Sequence, residues 1–300
     1  MLAVKGVFLR VSRPRGSQFA TMLVLPFLSL LAQNGAIGSK RCDHKELRSA
    51  DGLVGCSSLD FHFDPLSATE IKAVAKAVSS GEIRVFICRG CEIGAAGMDV
   101  LGPALLSQDS LDFLTLREDT LGASGANYLA QLLNQSKELS GLDLRGAGLE
   151  KDDSALAAAL RHPDSALEIL NLKVSGLGAV GAAEVAAALA VNKELQWLDL
   201  SFTSLGDEGA AVLAASLAER DEPLSLHLED KSVGEEGLAA LNRVKKEHPR
   251  HEVLLPPEMF KPQHRMPRRG RPSAMDSEKM QALGAAAAAL DPDGQIKTEL

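Results

Sequence analysis

The chain is expected to fold as an α/β repeat, a stack of units that each supply one short strand to a parallel sheet and one helix. Three observations predict this. The apolar frame L-x-x-L-x-L starts at positions 83, 111, 139, 167, 195 and 223, each 28 residues from the next. Its full copies are Leu111/Leu114/Leu116, Leu139/Leu142/Leu144, Leu167/Leu170/Leu172 and Leu195/Leu198/Leu200, flanked by degenerate copies at Ile83/Phe86/Cys88 and Pro223/Leu226/Leu228. Second, each frame except the one at 139 is followed by an apolar residue and a glycine: Ile93-Gly94, Leu121-Gly122, Leu177-Gly178, Leu205-Gly206 and Val233-Gly234, with another glycine three positions on. Third, an Ala/Leu-rich stretch such as 181–190 follows, with apolar residues at helical spacing.

Internal repetition of this kind outranks any local propensity argument, because one unit cannot bury its own apolar face and a stack can. The alanines let neighbouring helices approach closely. Partial copies at Leu59/Phe61 and Val253/Leu255 fall one residue off the period. They bound the array. Residues 43–82 read as an N-terminal capping unit, 83–255 as the array with its C-terminal cap, 1–42 as a leader outside the fold, and 256–300 as a disordered tail.

Composition agrees with a globular body. The 300 residues are 45% hydrophobic and 24% charged, with 4% aromatics and a single Trp. That excludes collagen, wholesale disorder and a multi-span membrane protein. Charge is uneven: residues 1–42 carry six Lys/Arg and no acid, whereas 43–255 carry 19 Lys/Arg against 34 Asp/Glu. An acidic body opposes broad nucleic-acid binding, which needs a positive face. Four cysteines do not make a disulfide scaffold, although Cys42 and Cys56 could pair in an oxidising compartment.

The leucine frames and the Leu-Gly-x-x-Gly turns resemble the ribonuclease-inhibitor-type leucine-rich repeat, found in the repeat regions of NOD-like receptors and in Ran GTPase-activating proteins. The resemblance covers about residues 56–255. It implies a leucine-rich-repeat solenoid curved as a horseshoe arc, with the parallel sheet on the concave face and helices on the convex face. The family places Asn or Cys three residues after the last frame leucine, where it bonds the turn. Here those positions are Cys91, Asp119, Ala147, Ser175, Thr203 and Lys231. The asparagine ladder is therefore expected to be missing, or partly replaced by Ser, Thr and Asp, and the array looser.

Two apparent motifs dissolve into the repeat. Gly176-Leu-Gly178-Ala-Val-Gly181 spells the dinucleotide fingerprint G-x-G-x-x-G, but Gly178 and Gly181 recur as turn residues in other units. Cys88-Arg-Gly-Cys91 spells C-x-x-C, yet both cysteines occupy positions with structural roles, and no second pair stands nearby to complete a zinc site. The seven histidines are scattered. No catalytic residue, cofactor or metal ligand is assigned, and the chain reads as a binding protein, not an enzyme.

Alternation along the strands points the frame residues into the core and the residues between them to the opposite face. Read across units, three columns emerge. Val85, Phe113, Gly141, Ile169, Trp197 and Ser225 form the first, and Ile87, Thr115, Asp143, Asn171, Asp199 and His227 the second. Arg89, Arg117, Arg145, Lys173, Ser201 and Glu229 form the third. Strands lie about 4.8 Å apart, so four consecutive bases span roughly 14 Å. Like charges in one ladder repel, which favours a binding role over a purely structural one. The competing reading pairs these bases with Asp143, Glu118 and Asp119 as solvated ion pairs of little worth. Arg and aromatic residues are favoured at interface hot spots. The expected partner-binding residues are Arg89, Phe113, Arg117, Asp143, Arg145, Ile169, Asn171, Lys173, Trp197 and Asp199, and the expected partner is a protein presenting an acidic segment.

The resemblance also implies two alternatives: a regulator of a small GTPase, or a stand-alone repeat fragment of the NOD-like kind. Neither rests on more than the fold. The two ends add signals. Met22–Ala32 is an apolar run behind Lys5, Arg10, Arg13 and Arg15, an order shared by secretory signal peptides and, lacking acids, by organellar transit peptides. Lys297-Thr-Glu-Leu300 resembles an ER retrieval signal and also a PDZ ligand. The secretory pathway or ER lumen is slightly favoured, with organellar and cytoplasmic locations open. Arg269-Gly-Arg-Pro272 resembles an AT-hook core, and Asp291–Ile296 resembles a calcium loop but lacks its terminal ligands.

Overall fold

Apolar residues at alternate positions bury one edge of a strand, and each unit does this once. The computed structural model describes residues 3–4, 7–8, 40–49, 52–148, 156, 159–162 and 165–255. Its main sheet consists of β3 (Lys40–Cys42), β4 (Cys56–His62), β5 (Val85–Arg89), β6 (Phe113–Arg117), β7 (Gly141–Asp143), β8 (Ile169–Asn171), β9 (Trp197–Asp199), β10 (Ser225–His227) and β11 (Glu252–Leu254). These nine strands are all parallel and lie side by side in sequence order. A separate two-residue antiparallel pair joins β1 (Ala3–Val4) to β2 (Val7–Phe8).

The helices among the described residues are α1 (His44–Leu47), α2 (Ala68–Val78), α3 (Gly94–Leu106), α4 (Gly122–Gln135), α5 (Gly178–Val191), α6 (Gly206–Glu219) and α7 (Glu235–Glu247). Strands in sequential order with parallel pairing require every crossover to run in the same sense. Right-handed crossovers then place all the helices on one face and leave the other face open.

Register follows the leucine period. Phe86, Leu114, Leu142, Leu170, Leu198 and Leu226 pair in one continuous row, each 28 residues from the next. The offset shortens to 27 at both flanks, where Leu59 meets Phe86 and Leu226 meets Val253. The row is fully buried and packs on helix residues such as Val74, Met98, Leu129, Val185, Leu213 and Leu241. Each such side chain contributes roughly 1.5–3 kcal/mol on burial.

The turn glycines explain how a strand becomes a helix within a few residues. Gly94, Gly122, Gly178 and Gly206 all adopt left-handed backbone, with φ between 59° and 67°. Small residues then let helices touch. A Cβ on Gly102 would lie 2.3 Å from the Tyr128 ring, so α4 rests on bare α3 backbone there. Gly209 meets the Ala182 methyl in the same way.

Acids take over part of the expected asparagine ladder. Asp119 Oδ1 accepts the Ile93 N–H of the preceding unit at 2.6 Å, and burial raises the Asp119 pKa. In the last full unit the corresponding bonds come from Asp230, which accepts the Thr203 and Leu205 N–H groups at 3.1 Å each. The strict period points to Lys231, which is exposed. The acceptor therefore lies one residue ahead of the periodic position, although Val233-Gly234 keeps the 28-residue spacing. Asp207 Oδ1 adds a further cap, accepting the Gly234 and Gly237 N–H groups at the start of α7.

At the N-terminal edge the sheet takes in Lys40–Cys42, which a boundary at 42 had set aside. Cys42 is bonded to Cys56, tying β3 to β4, and Cys88 is bonded to Cys91. Within 43–82, β4 and α2 form a regular unit whose helix opens on a Ser67–Glu70 capping box. The apolar run at 22–32 and the tail signals at 269–272, 291–296 and 297–300 lie outside the described residues, as do 149–155, 157–158 and 163–164 between β7 and β8. No helix among the described residues is long and apolar enough to cross a membrane.

Candidate binding surface on the open sheet face

The three columns are real rows of neighbouring residues. Val85, Phe113, Gly141, Ile169, Trp197 and Ser225 are successive partners across β5–β10, as are Ile87, Thr115, Asp143, Asn171, Asp199 and His227. Arg89 pairs with Arg117. Beyond the strands the third column continues through backbone bonds: Glu118 N–H donates to the Arg145 carbonyl, Gly146 N–H to Lys173, and Val174 N–H to Ser201, each at 2.9 Å.

The columns differ in what they offer. In the first, Phe113 is 3% exposed because its ring lies across Gly141, where a Cβ would fall 2.0 Å from Phe113 Cε2. Phe113 is thus spent on covering the next strand, contrary to its expected role as an exposed anchor. Ile169 and Trp197 remain half-buried. The second column is recessed. Asp143 Oδ1 accepts the Arg145 N–H at 3.2 Å, Asn171 Oδ1 the Lys173 N–H at 3.0 Å, and Asp199 Oδ1 the Ser201 N–H at 2.8 Å. These i to i+2 bonds are Asx turns that end the strands. Asp143, Asn171 and Asp199 therefore do structural work that their place in the pattern did not announce.

The third column is divided. Arg117 donates from Nε to Asp143 Oδ2 at 2.7 Å, and the pair is largely buried. This is the ion pair foreseen in the competing reading, but desolvated. Arg145 is exposed. Lys173 is half-buried, with its ammonium 5.1 Å from the centroid of the Phe202 ring, a cation–π contact. Arg89 is half-buried with no carboxylate of its own, and its Nε has no hydrogen-bond partner. Burial foremost, then the charge of Arg117, lowers the Arg89 pKa.

A fourth column stands beside these. Phe63 follows His62, the β4 partner of Arg89, while Gly90, Glu118, Gly146, Val174 and Phe202 each follow a third-column residue, and all six have positive φ. Three are large, apolar and exposed: Phe63 at 69%, Val174 at 50% and Phe202 at 38%. Left-handed backbone is unusual for bulky and β-branched residues and carries strain. The sequence signal was present but faint, since Gly90 and Gly146 stand two periods apart at this position.

At the C-terminal end of the face, Trp197 Nε1 donates to His227 Nε2 at 2.9 Å. Ser225 Oγ lies 3.4 Å from the same nitrogen and Asp199 is nearby, so the residue types suggest a nucleophile and base. The hydrogen bonds run otherwise. The Nε2 lone pair is taken by the indole, and the Ser225 hydroxyl donates to Glu252 at 3.0 Å. This cluster orders the sheet and leaves no base free for the serine. Among the described residues no three His, Cys, Asp or Glu side chains converge as metal ligands. Compared with known proteins, the chain matches no family model and no curated sequence.

Proposed function

We propose that this chain is a leucine-rich-repeat protein of the ribonuclease-inhibitor type and acts as an adaptor, binding a protein partner on its open sheet face. The carrying observation is the pairing of two registered rows. One presents the cations Arg89, Arg145 and Lys173, and the other presents Phe63, Val174 and Phe202 to solvent at strained backbone positions. Residues held in a costly conformation with apolar side chains exposed favour binding over stability. The body around them is acidic, so this face is where a negatively charged segment is locally welcome.

The partner in this reading is a protein segment rich in acids with interspersed apolar residues. Arg145 and Lys173 supply steering and Val174 and Phe202 supply the buried area. Trp197 and Ile169 flank them. Arg117, Asp143, Asn171 and Asp199 hold the face in shape. The test is capture of partners by the full chain and by an Arg145→Glu/Lys173→Glu variant. Loss of the same partners from the variant, with unchanged thermal stability, supports the reading. Equal capture by both sinks it.

A further inference from the structure

The N-terminal third of the open face holds a charge arrangement that the ladder alone does not explain. Arg41, Arg89 and Arg117 surround two buried carboxylates, Asp60 and Asp143. Asp60 is engaged by Arg41 and by His62. Asp143 is engaged by Arg117 from the other side. Each carboxylate thus has its own guanidinium, and Arg89 between them has none. Its Nε is buried and unsatisfied. The half-buried side chain turns its Nη end outward, and an anion bound there would give the cluster's one unmatched charge a partner.

The surroundings restrict which anion. With Arg41 and Arg117 balanced by Asp60 and Asp143, one positive charge is left over. A dianion there would face two fixed carboxylates with only that charge in its favour. A monoanion matches it. The planar guanidinium presents its two Nη groups side by side, a fork that fits the two oxygens of a carboxylate. Phe63 adjoins Arg89 through the backbone, its N–H donating to the Arg89 carbonyl at 2.7 Å. The Phe63 ring leans over Gly90, whose added Cβ would lie 3.1 Å from Phe63 Cδ1, and most of Phe63 faces solvent.

We infer that Arg89 and Phe63 form a seat for one Asp or Glu side chain of the partner, with an apolar residue adjoining that acid in the same segment. The seat rests on the binding reading above and assigns its anchor. Gly90 serves it directly, since a side chain at that position would meet the Phe63 ring at 3.1 Å and displace it.

The experiment is a double-mutant cycle between protein and peptide. The probe is a fluorescein-labelled, acetylated peptide of alternating Glu and Phe, with Glu→Gln and Glu→phosphoserine versions, titrated by anisotropy into the full chain. The wild type is expected to bind the Glu peptide about tenfold more tightly than Arg89→Gln does. The Gln peptide should lose at least as much on the wild type, and the Glu-to-Gln loss should be about tenfold smaller on the variant. Thermal unfolding of Arg89→Gln is measured beside the wild type, so that loss of the seat is separated from loss of the fold. Arg89→Lys, which keeps the charge and loses the fork, should recover only part of the affinity.

If Arg145→Glu/Lys173→Glu abolishes Glu-peptide binding while Arg89→Gln does not change it, the seat is wrong and the adaptor reading stands. If Arg89→Gln weakens binding and the Arg145/Lys173 reversal does not, the seat stands and the wider ladder falls. Tighter binding of the phosphoserine peptide than of the Glu peptide would overturn the assignment to a carboxylate. Absence of binding by every form would overturn both.

Discussion

Trp197 donates its indole N–H to His227 Nε2 at 2.9 Å, joining β9 to β10 across the open face. The bond requires a neutral imidazole that carries its proton on Nδ1. Burial, the largest influence, lowers the His227 pKa below its ordinary 6.5 despite the nearby Asp199 and Glu252. His251 is lowered for the same first reason, and it accepts the Leu224 N–H at Nδ1, 3.3 Å away.

Two histidines held neutral set the acid limb of stability. Between the unfolded pKa and the lower folded ones, the unfolded chain binds more protons, so stability rises with pH in that window. The contribution is complete above about pH 6.5 and is lost as pH falls from there through the folded values. Urea midpoints measured from pH 7.5 to 5 should fall on the acid side, and Trp197, the chain's only Trp, should change its emission as His227 takes up its proton. Midpoints independent of pH across that range would contradict the assignment.

Phe113 and Gly141 form a second coupled pair. An alanine at 141 would put its Cβ 2.0 Å from Phe113 Cε2, so the ring must leave its place. Gly141→Ala should cost about 1–3 kcal/mol through overpacking. Phe113→Ala should cost about 3 kcal/mol by itself. In the double variant the clash has no partner, and its cost should fall short of the sum by at least about 1 kcal/mol. Strict additivity in denaturant titrations would show that the ring does not lie where the glycine admits it.

Arg220 stands at the opposite extreme from the open face. It is 1% exposed, and its guanidinium donates to the carbonyls of Leu189, Asn192, Lys193, Leu195 and Glu222. The first four of those carbonyls belong to the C-terminal end of α5 and the turn into β9, where helix geometry leaves acceptors without donors. Arg220→Met keeps much of the apolar volume and removes every donor. It should lower stability by about 3 kcal/mol, with hydrogen exchange accelerated first in Leu189–Leu195.

The strand register was legible because one kind of residue carried it. A leucine frame repeating at 28 residues fixes which strand neighbours which, and the columns follow by alternation. The division of labour within those columns was not legible. Asp143 and Lys173 look alike as charged face residues, yet one side chain is short enough to close an Asx turn and the other is not. Phe113 looks like an anchor until Gly141 is seen beside it. Asp230 takes the place that the strict period gives to Lys231, one residue ahead of it, although the glycine turn that follows stays in period. The fourth column was masked for a different reason: left-handed backbone is normally announced by glycine, and only two of its six members are glycine.

The Cys42–Cys56 bond closes a loop of 14 residues between edge strand β3 and β4. Constraining the unfolded chain over a loop of about that length is worth roughly 3 kcal/mol. Replacing Cys42 and Cys56 by serine, which leaves Cys88–Cys91 bonded, should therefore lower the stability of the N-terminal edge by about that amount and expose the β4 edge to exchange. Because β3 is the last strand of the sheet, protection in β6–β10 should be little changed. Uniform loss of protection along the whole array would mean that the edge and the middle unfold as one.

Val174 offers the sharpest test of whether the exposed column is held for function. Its φ is 59°, a region that a β-branched residue enters only at a cost, and half of its surface faces solvent. Its N–H bond to the Ser201 carbonyl is made by the backbone and survives substitution. Val174→Gly keeps that bond, relieves the strain and removes little core contact, so it should raise stability by roughly 1 kcal/mol. If the column exists for stability, the gain comes free of consequence. If it is an interaction surface, the same variant should bind the Glu/Phe peptide more weakly while melting at a higher temperature. A variant both less stable and equally able to bind would remove the strain argument and with it the main reason to regard Phe63, Val174 and Phe202 as one surface.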